Sequence, residues 1–504
     1  MKKSLVLATL FTILSFCLQA QTDNRIVIGT IDSIQSKILN EQRKIWVYVP
    51  NSGPVDIYSK QRYPVVYLLD GDAHFSSVVG MMQQLSSVNG NMICPEMIVV
   101  GIPNTDRTRD LTPTHVDADP PFMSPASSQT SGGGEQFISF IEKELMPYIE
   151  SKYPTQPYKM LIGHSFGGLA VLNTFVHHTD LFNAYVAIDP SMWWDHQKLL
   201  KEAKKVLAEQ KFPGKSLYLG IANTMNEGMD VKTVNKDTSA SSKHIRSILE
   251  LDQYLSSNKQ NQLKYKGKYY GDDNHGSVPL ITEYDALHFT FDYYPLKLTF
   301  KDFNDTTVAL ANKYEKHFDN ISKQMGYKVA PVENTINGIG YQALNSKQYQ
   351  KAASFFKMNV DNYPNSSNVF DSYGDYYLAV GDTTHAIEQF EKALSIKENE
   401  ATRNKLNGLL GERPLLLTPE ELQKYVGDFE ISGVGVNIQI FIRDGVLMVS
   451  ATGQPVSELY TTKLPDFQIK TAKGYLLHFE MKDDKATAID VTAPEGTFTA
   501  VRKK

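Results

Sequence analysis

Residues 159–172 read Lys159-Met160-Leu161-Ile162-Gly163-His164-Ser165-Phe166-Gly167-Gly168-Leu169-Ala170-Val171-Leu172. Lys159–Ile162 has the apolar texture of a buried strand, and Gly168 opens a run with helical spacing. Between them, Gly163–Gly167 fits G-x-S-x-G, the sharp strand-to-helix turn that lifts a serine hydroxyl above a sheet. The flanking glycines are required because a side chain at either place would strike the neighbouring strand and helix. The helix that follows points its partial positive end at the place where an oxyanion would form. Ser165 is therefore the candidate nucleophile.

Outward from this turn, strand-like runs alternate with helical ones. Ile45–Val49, Val65–Leu69, Met97–Ile102, Tyr185–Asp189, Leu217–Ala222 and Leu263–Tyr269 are short apolar stretches bounded by turn residues. Gly134–Ile149, Gly168–His177, Asp195–Glu209 and Lys243–Ser256 carry helical patterns. Alternation over some 300 residues predicts an α/β fold with a mostly parallel sheet across 21–325. Active sites in such sheets form at the carboxyl ends of the strands.

A serine hydroxyl needs a base to take its proton. Of the 12 histidines, His164 is expected to point away within the turn, His177 and His178 end a helix, and His288 sits in a helical run where packing explains it. His275 lies in the polar loop Gly271-Asp272-Asp273-Asn274-His275-Gly276-Ser277, which leaves the end of a late strand 110 residues after Ser165. This suits the order nucleophile, acid, histidine, and makes His275 the candidate base. For the acid, Glu227 and Asp230 follow the strand Leu217–Ala222, while Asp189 ends the strand before it. Trp193-Trp194 follow that same strand and should stand near the mouth of a site, either as an aromatic wall for a bulky substrate group or as a core pair. Arg107 has the charge to bind an anionic substrate, although the adjoining Asp106 and Asp110 favour a structural ion pair.

The later chain changes texture twice. Gly340, Leu344, Ala352 and Phe356 recur 34 residues on at Gly374, Leu378, Ala386 and Phe390, the period and residue types of tetratricopeptide (TPR) repeats, predicted over 332–408. Such repeats would serve either as a surface for a protein or peptide partner or as a packing spacer between domains. From 415 to 504, short strands separated by Asp444-Gly445, Asp483-Asp484 and Glu495-Gly496 predict a small all-β domain of about eight strands.

The composition narrows the class. Of 504 residues, 21% are charged and 41% hydrophobic, with a net charge of −5, which fits a folded globular protein and gives no basic excess for nucleic acid. Two cysteines, Cys17 and Cys94, exclude a disulfide framework and a multi-cysteine metal site. No zinc, calcium or phosphate-loop signature occurs, so no metal and no cofactor are expected. Lys2-Lys3, the apolar run Leu5–Leu18 and Gln19-Ala20-Gln21 predict a secretory signal peptide over 1–20. The chain is thus expected to be exported, periplasmic or secreted, with no membrane span once the signal is removed.

Residues 25–300 resemble the esterase D / putative esterase family of α/β-hydrolases, which includes ferric-siderophore esterases, S-formylglutathione hydrolase, feruloyl esterase domains and mycolyltransferases. The resemblance is carried by Val66-Tyr67-Leu68-Leu69-Asp70-Gly71-Asp72, by Gly101-Ile102-Pro103-Asn104 with Arg107, Arg109 and Asp110, and by the Gly163–Gly168 turn. Pro190-Ser191-Met192-Trp193-Trp194 and Asp273-Asn274-His275-Gly276-Ser277 complete it. It implies an α/β-hydrolase fold, an exported serine esterase acting through an acyl-enzyme on Ser165, His275 as base, and backbone N–H groups of Phe166 and Asp72 as the oxyanion hole. It favours Glu227 as the acid, with Asp230 in the same loop, or no carboxylate at all, as the alternatives, and Asp189 as a bystander. The implied substrate is a small-molecule ester: a siderophore, aromatic or acetyl ester. Two other readings stay open, an acyltransferase with the same nucleophile and a binding protein with a vestigial hydrolase domain. Leu422…Tyr425-Val426-Gly427 resembles the β-domain appended to bacterial secreted hydrolases and serine β-lactamase relatives, which names no activity.

Overall fold

The computed structural model describes residues 26–50, 61–117, 124–410, 414–433, 435–494 and 496–503. The signal-peptide expectation lies outside the described residues, as does Glu495 of the last turn. The chain forms two compact units, 1–331 and 332–504.

The first unit is built on an eight-stranded sheet. Its strands are β1 (Thr30–Ser36), β2 (Glu41–Tyr48), β3 (Tyr63–Leu69), β4 (Ile98–Ile102), β5 (Thr155–His164), β6 (Ala184–Ile188), β7 (Ser216–Ala222) and β8 (Lys264–Tyr270), in spatial order β1-β2-β4-β3-β5-β6-β7-β8. β3 to β8 run parallel, while β1 and β2 form an antiparallel edge. The α/β expectation is met, with β1 as a strand its polar sequence had not announced.

Strands β3, β4, β6 and β7 are buried at every residue. Both faces of the sheet are therefore covered, as parallel strands require. The covering helices include α1 (Gly71–Ser86), α2 (Phe166–His177), α3 (Trp194–Glu209), α4 (Lys243–Ser257) and α5 (Val278–Thr290). Helix α4 shows how the sequence directs this packing: Ile245, Ile248, Leu251 and Leu255 repeat at helical spacing and are all buried.

The second unit opens with two helical hairpins, α6 (Glu333–Asn345) with α7 (Tyr349–Asn362) and α8 (Ser367–Ala379) with α9 (Thr383–Ile396), followed by α10 (Glu400–Leu410). The small residues of the 34-residue pattern sit at the hairpin crossings. A Cβ on Gly340 would lie 2.8 Å from the Phe356 ring, and one on Gly374 would lie 2.5 Å from the Phe390 ring. Beyond them, β9 (Gly427–Ile431), β10 (Val436–Arg443), β11 (Val446–Ala451), β12 (Ser457–Lys463), β13 (Asp466–Ile469), β14 (Ala472–Lys482), β15 (Lys485–Ala493) and β16 (Gly496–Arg502) close into an antiparallel barrel, β16 pairing with β9. No described helix is long and apolar enough to cross a membrane.

Candidate active site

Three adjacent parallel strands end in a residue with left-handed backbone: Asp70 after β3 (φ 51°), Ser165 after β5 (φ 60°) and Asp189 after β6 (φ 42°). Left-handed φ at a residue other than glycine is uncommon and costs on the order of 1–3 kcal/mol unless the surroundings hold it. Here the backbone is held. Ser165 N–H donates to Ile188 O at 2.9 Å, and Asp189 N–H donates to Gly220 O at 2.8 Å. The turn at Ser165 needs its glycines for space, since a Cβ on Gly163 would lie 2.4 Å from Gly167 O.

His275 reaches Ser165 from the loop after β8. That loop is tied to the end of β7 by Asn223 N–H donating to Asp273 O at 2.8 Å and by the Asn223 side-chain amide donating to Gly271 O at 3.0 Å. His275 Nε2 lies 3.1 Å from Ser165 Oγ, and its Nδ1 lies 2.6 Å from Asp189 Oδ2. A carboxylate only accepts, so Nδ1 carries the proton and Nε2 is left to accept from Ser165.

The carboxylate paired with His275 is thus Asp189, where Glu227 had been expected. Glu227 is exposed in the loop beyond β7, and Asp230 caps a turn there by accepting from Lys232 N–H and Thr233 N–H. Asp189 is fully buried. Burial opposes its charge, yet hydrogen bonds from His244 and His275 outweigh that and hold its carboxyl well below the usual range. Its other oxygen, Oδ1, accepts from Ala222 N–H at 3.0 Å.

His244 was absent from the sequence reading. It is buried near the start of α4 and donates from Nε2 to the same Asp189 Oδ2 at 2.8 Å. His164, expected to point away, instead lies against the reacting imidazole, with ring centroids 4.5 Å apart. Burial, followed by its neighbours His275 and His74, lowers the His164 pKa to about 4, so it packs there as a neutral ring. Asp189, His244 and His275 also present three metal-ligating atoms within 4.8 Å of one another. The hydrogen bonds inside this trio already account for their convergence.

Phe166 and Asp72 each lie in the first turn of a helix, α2 and α1. Their N–H groups have no carbonyl one turn earlier to donate to, which leaves them open to an acceptor. Arg107 is otherwise engaged. It donates to Asp70 from Nε at 2.6 Å and from Nη2 at 3.0 Å, to His164 O at 3.1 Å, and lies over the Phe166 ring. Arg107 thus forms the structural ion pair that its acidic setting favours, with Asp70 as the partner, and clamps the turns after β3 and β5.

Of the two readings of Trp193-Trp194, a wall and a core pair, the burial fits the core pair. Trp193 and Trp194 are 4% and 1% exposed, pack on Phe166, and belong to the core. Trp194 donates from its indole to Thr114 O at 3.1 Å.

Residues 36–275 match the family described as Putative esterase. An IroE-like serine hydrolase from Shewanella oneidensis is similar in structure, with a TM-score of 0.53 and 30% identity, over 66% of this chain and 98% of that one. The siderophore enterobactin esterase of Emericella nidulans is 31% identical over 155 residues, which span 28% of this chain and 51% of that protein. The siderophore triacetylfusarinine C esterase of Aspergillus fumigatus is 25% identical over 244 residues, 46% of this chain and 82% of that protein. With serine, histidine and a buried carboxylate joined at the strand ends, the chain belongs to the Putative esterase family and is a carboxylic ester hydrolase.

Proposed function

We propose that this enzyme is a serine esterase that opens the ester linkages of siderophores through an acyl-enzyme on Ser165. The observation that carries the mechanism is the single imidazole of His275 bridging Ser165 Oγ and Asp189 Oδ2. Ser165 Oγ attacks the ester carbonyl carbon while His275 Nε2 takes its proton. The carbonyl oxygen becomes an oxyanion facing the N–H groups of Phe166 and Asp72. Collapse breaks the C–O bond, and His275 returns its proton to the leaving alcohol. Water, activated by the same imidazole, then releases the acid and restores Ser165.

Asp189 holds His275 in the tautomer that this cycle needs and stabilises its charged form, and His244 holds Asp189. Support for the substrate comes from the relatives' activities, since the two curated relatives described above are siderophore esterases. The basic and apolar pattern of residues 1–20 supports export of the enzyme.

A substrate panel tests the reading. A tricatecholate trilactone siderophore should be hydrolysed with kcat/KM at least about tenfold above a feruloyl ester and an acetylated sugar, a gap of about 1.4 kcal/mol in transition-state binding. Equal or faster turnover of either competitor, or no turnover of the trilactone, would overturn the substrate assignment.

A further inference from the structure

The two ends of the C-terminal barrel differ. At one end the interior is filled: Tyr425, from the turn after the short helix Pro419–Gln423, packs on Phe467 and Phe479 with ring centroids 4.7 and 5.1 Å away. Arg502 lies over Phe429 and donates to Val426 O at 2.7 Å, which closes that end. At the other end the inward rows of β9, β10, β11, β13, β15 and β16 continue apolar to the rim. Ile431, Val436, Ala451, Ile469 and Ala493 are part-exposed there, and Phe498 is 43% exposed. A barrel whose interior served stability alone would switch to polar side chains where water begins.

These rows enclose a cavity of about 430 Å³, floored by Leu477 and Val491. That lies within the roughly 300–1,000 Å³ of small-molecule sites, and eight strands make a barrel wide enough for one small ligand. The lining holds no charged residue. Of its three hydroxyl side chains, Ser457 Oγ and Thr471 Oγ1 are 2.5 Å apart and bond to each other, and Tyr475 is the third. The exposed Gln454 gives the rim a polar group. An occupant therefore needs an uncharged, apolar body inside and any polar group outside.

We propose that the open end of this barrel is a binding cup for one acyl chain, with the chain's polar end left at the rim. The site lies wholly within the second unit and is independent of the ester chemistry at Ser165. An anionic ligand finds no cationic partner in the cup, whereas each methylene buried there contributes about 0.8 kcal/mol.

The full chain, titrated with the neutral fluorescent probe N-phenyl-1-naphthylamine, tests this. Saturable binding of one probe per chain is expected, with displacement by dodecanoate and none by acetate. Ala451→Trp, which fills the cup, and Ala493→Asp, which places a charge at its rim, should each weaken probe binding at least about tenfold. Hydrolysis of a small ester and the barrel's cooperative melting should stay unchanged. Ala493 is part-exposed, so its variant keeps the test decisive if the larger residue at 451 disturbs folding. Absence of saturable binding, displacement by acetate, or parental affinity in a folded cup variant would overturn the proposal.

Discussion

Left-handed backbone at residues other than glycine does different work in the open sheet and in the closed barrel. In the barrel it occurs in the two-residue hairpin loops Asp444-Gly445 and Asp483-Asp484, with φ of 54° and 80° in the first and 49° and 62° in the second. Positive φ at both loop positions matches the right-handed twist of the flanking strands, so the turn itself benefits. At the carboxyl ends of the sheet's parallel strands it occurs at Asp70, Ser165 and Asp189. There it brings the Ser165 hydroxyl and the Asp189 carboxylate to the two nitrogens of His275, and the Asp70 carboxylate to Arg107. The barrel loops show local turn chemistry, and the parallel strand ends show strain held by tertiary contacts for the sake of a site.

If that contrast is right, the sheet positions should govern turnover and the barrel positions only stability. The largest expected effect is at Asp189. Asp189→Asn should lower kcat by about 10⁴-fold, the cost of losing the orienting carboxylate in serine proteases, with KM little changed. Glu227→Gln should stay near the parent, and a crippled Glu227→Gln beside an active Asp189→Asn would break the account.

His244→Gln comes next. Losing one hydrogen bond to a buried charge is worth about 1.5–3 kcal/mol, so kcat/KM should fall roughly 10- to 100-fold. The acid limb of its pH profile should move as well, which a purely structural defect would leave in place. An unchanged profile at parental stability would remove His244 from the positioning role.

Glu283 on α5 tests stability within the sheet unit. It is buried, both carboxyl oxygens lack a partner, and burial pushes its pKa up from 4.5 to about 8. Between those values the native state holds a proton that the unfolded chain releases. Stability therefore falls as pH rises through that window, by at most about 1.4 kcal/mol per pH unit from this group. Glu283→Gln should accordingly be more stable than the parent at pH 8.5 and nearly equal to it at pH 4.5 in urea melts. A gap of the same size at both pH values would contradict the linkage.

The smallest effect belongs to the barrel. Asp444→Val should destabilise it by about 1–2 kcal/mol through the left-handed backbone, with ester turnover untouched.

The sequence made the turn at Ser165 legible because the requirement is local: glycines two residues either side of the serine, a strand before and a helix after. His275 was legible from its polar loop after a late strand. Asp189 was seen and set aside, because its role depends on β6 lying beside β5 and on a left-handed turn at its own backbone, neither of which its neighbours announce. His244 had no local signal, since a polar residue in the first turn of an amphipathic helix is ordinary; only the packing of α4 brings it to Asp189, 55 residues away. Trp193 and Trp194 stay undecided in the sequence because aromatic residues after a strand end fit a core as well as a mouth. In the barrel the hairpins could be read one by one. Closure of β16 on β9 joins segments some 70 residues apart and left no local trace.

The most direct test of the central claim is covalent labelling with a serine-directed fluorophosphonate, followed by peptide mass mapping. One label per chain, located on Ser165, is expected, with labelling abolished in Ser165→Ala and melting unchanged. A label on another residue, or labelling that persists in Ser165→Ala, would contradict the account.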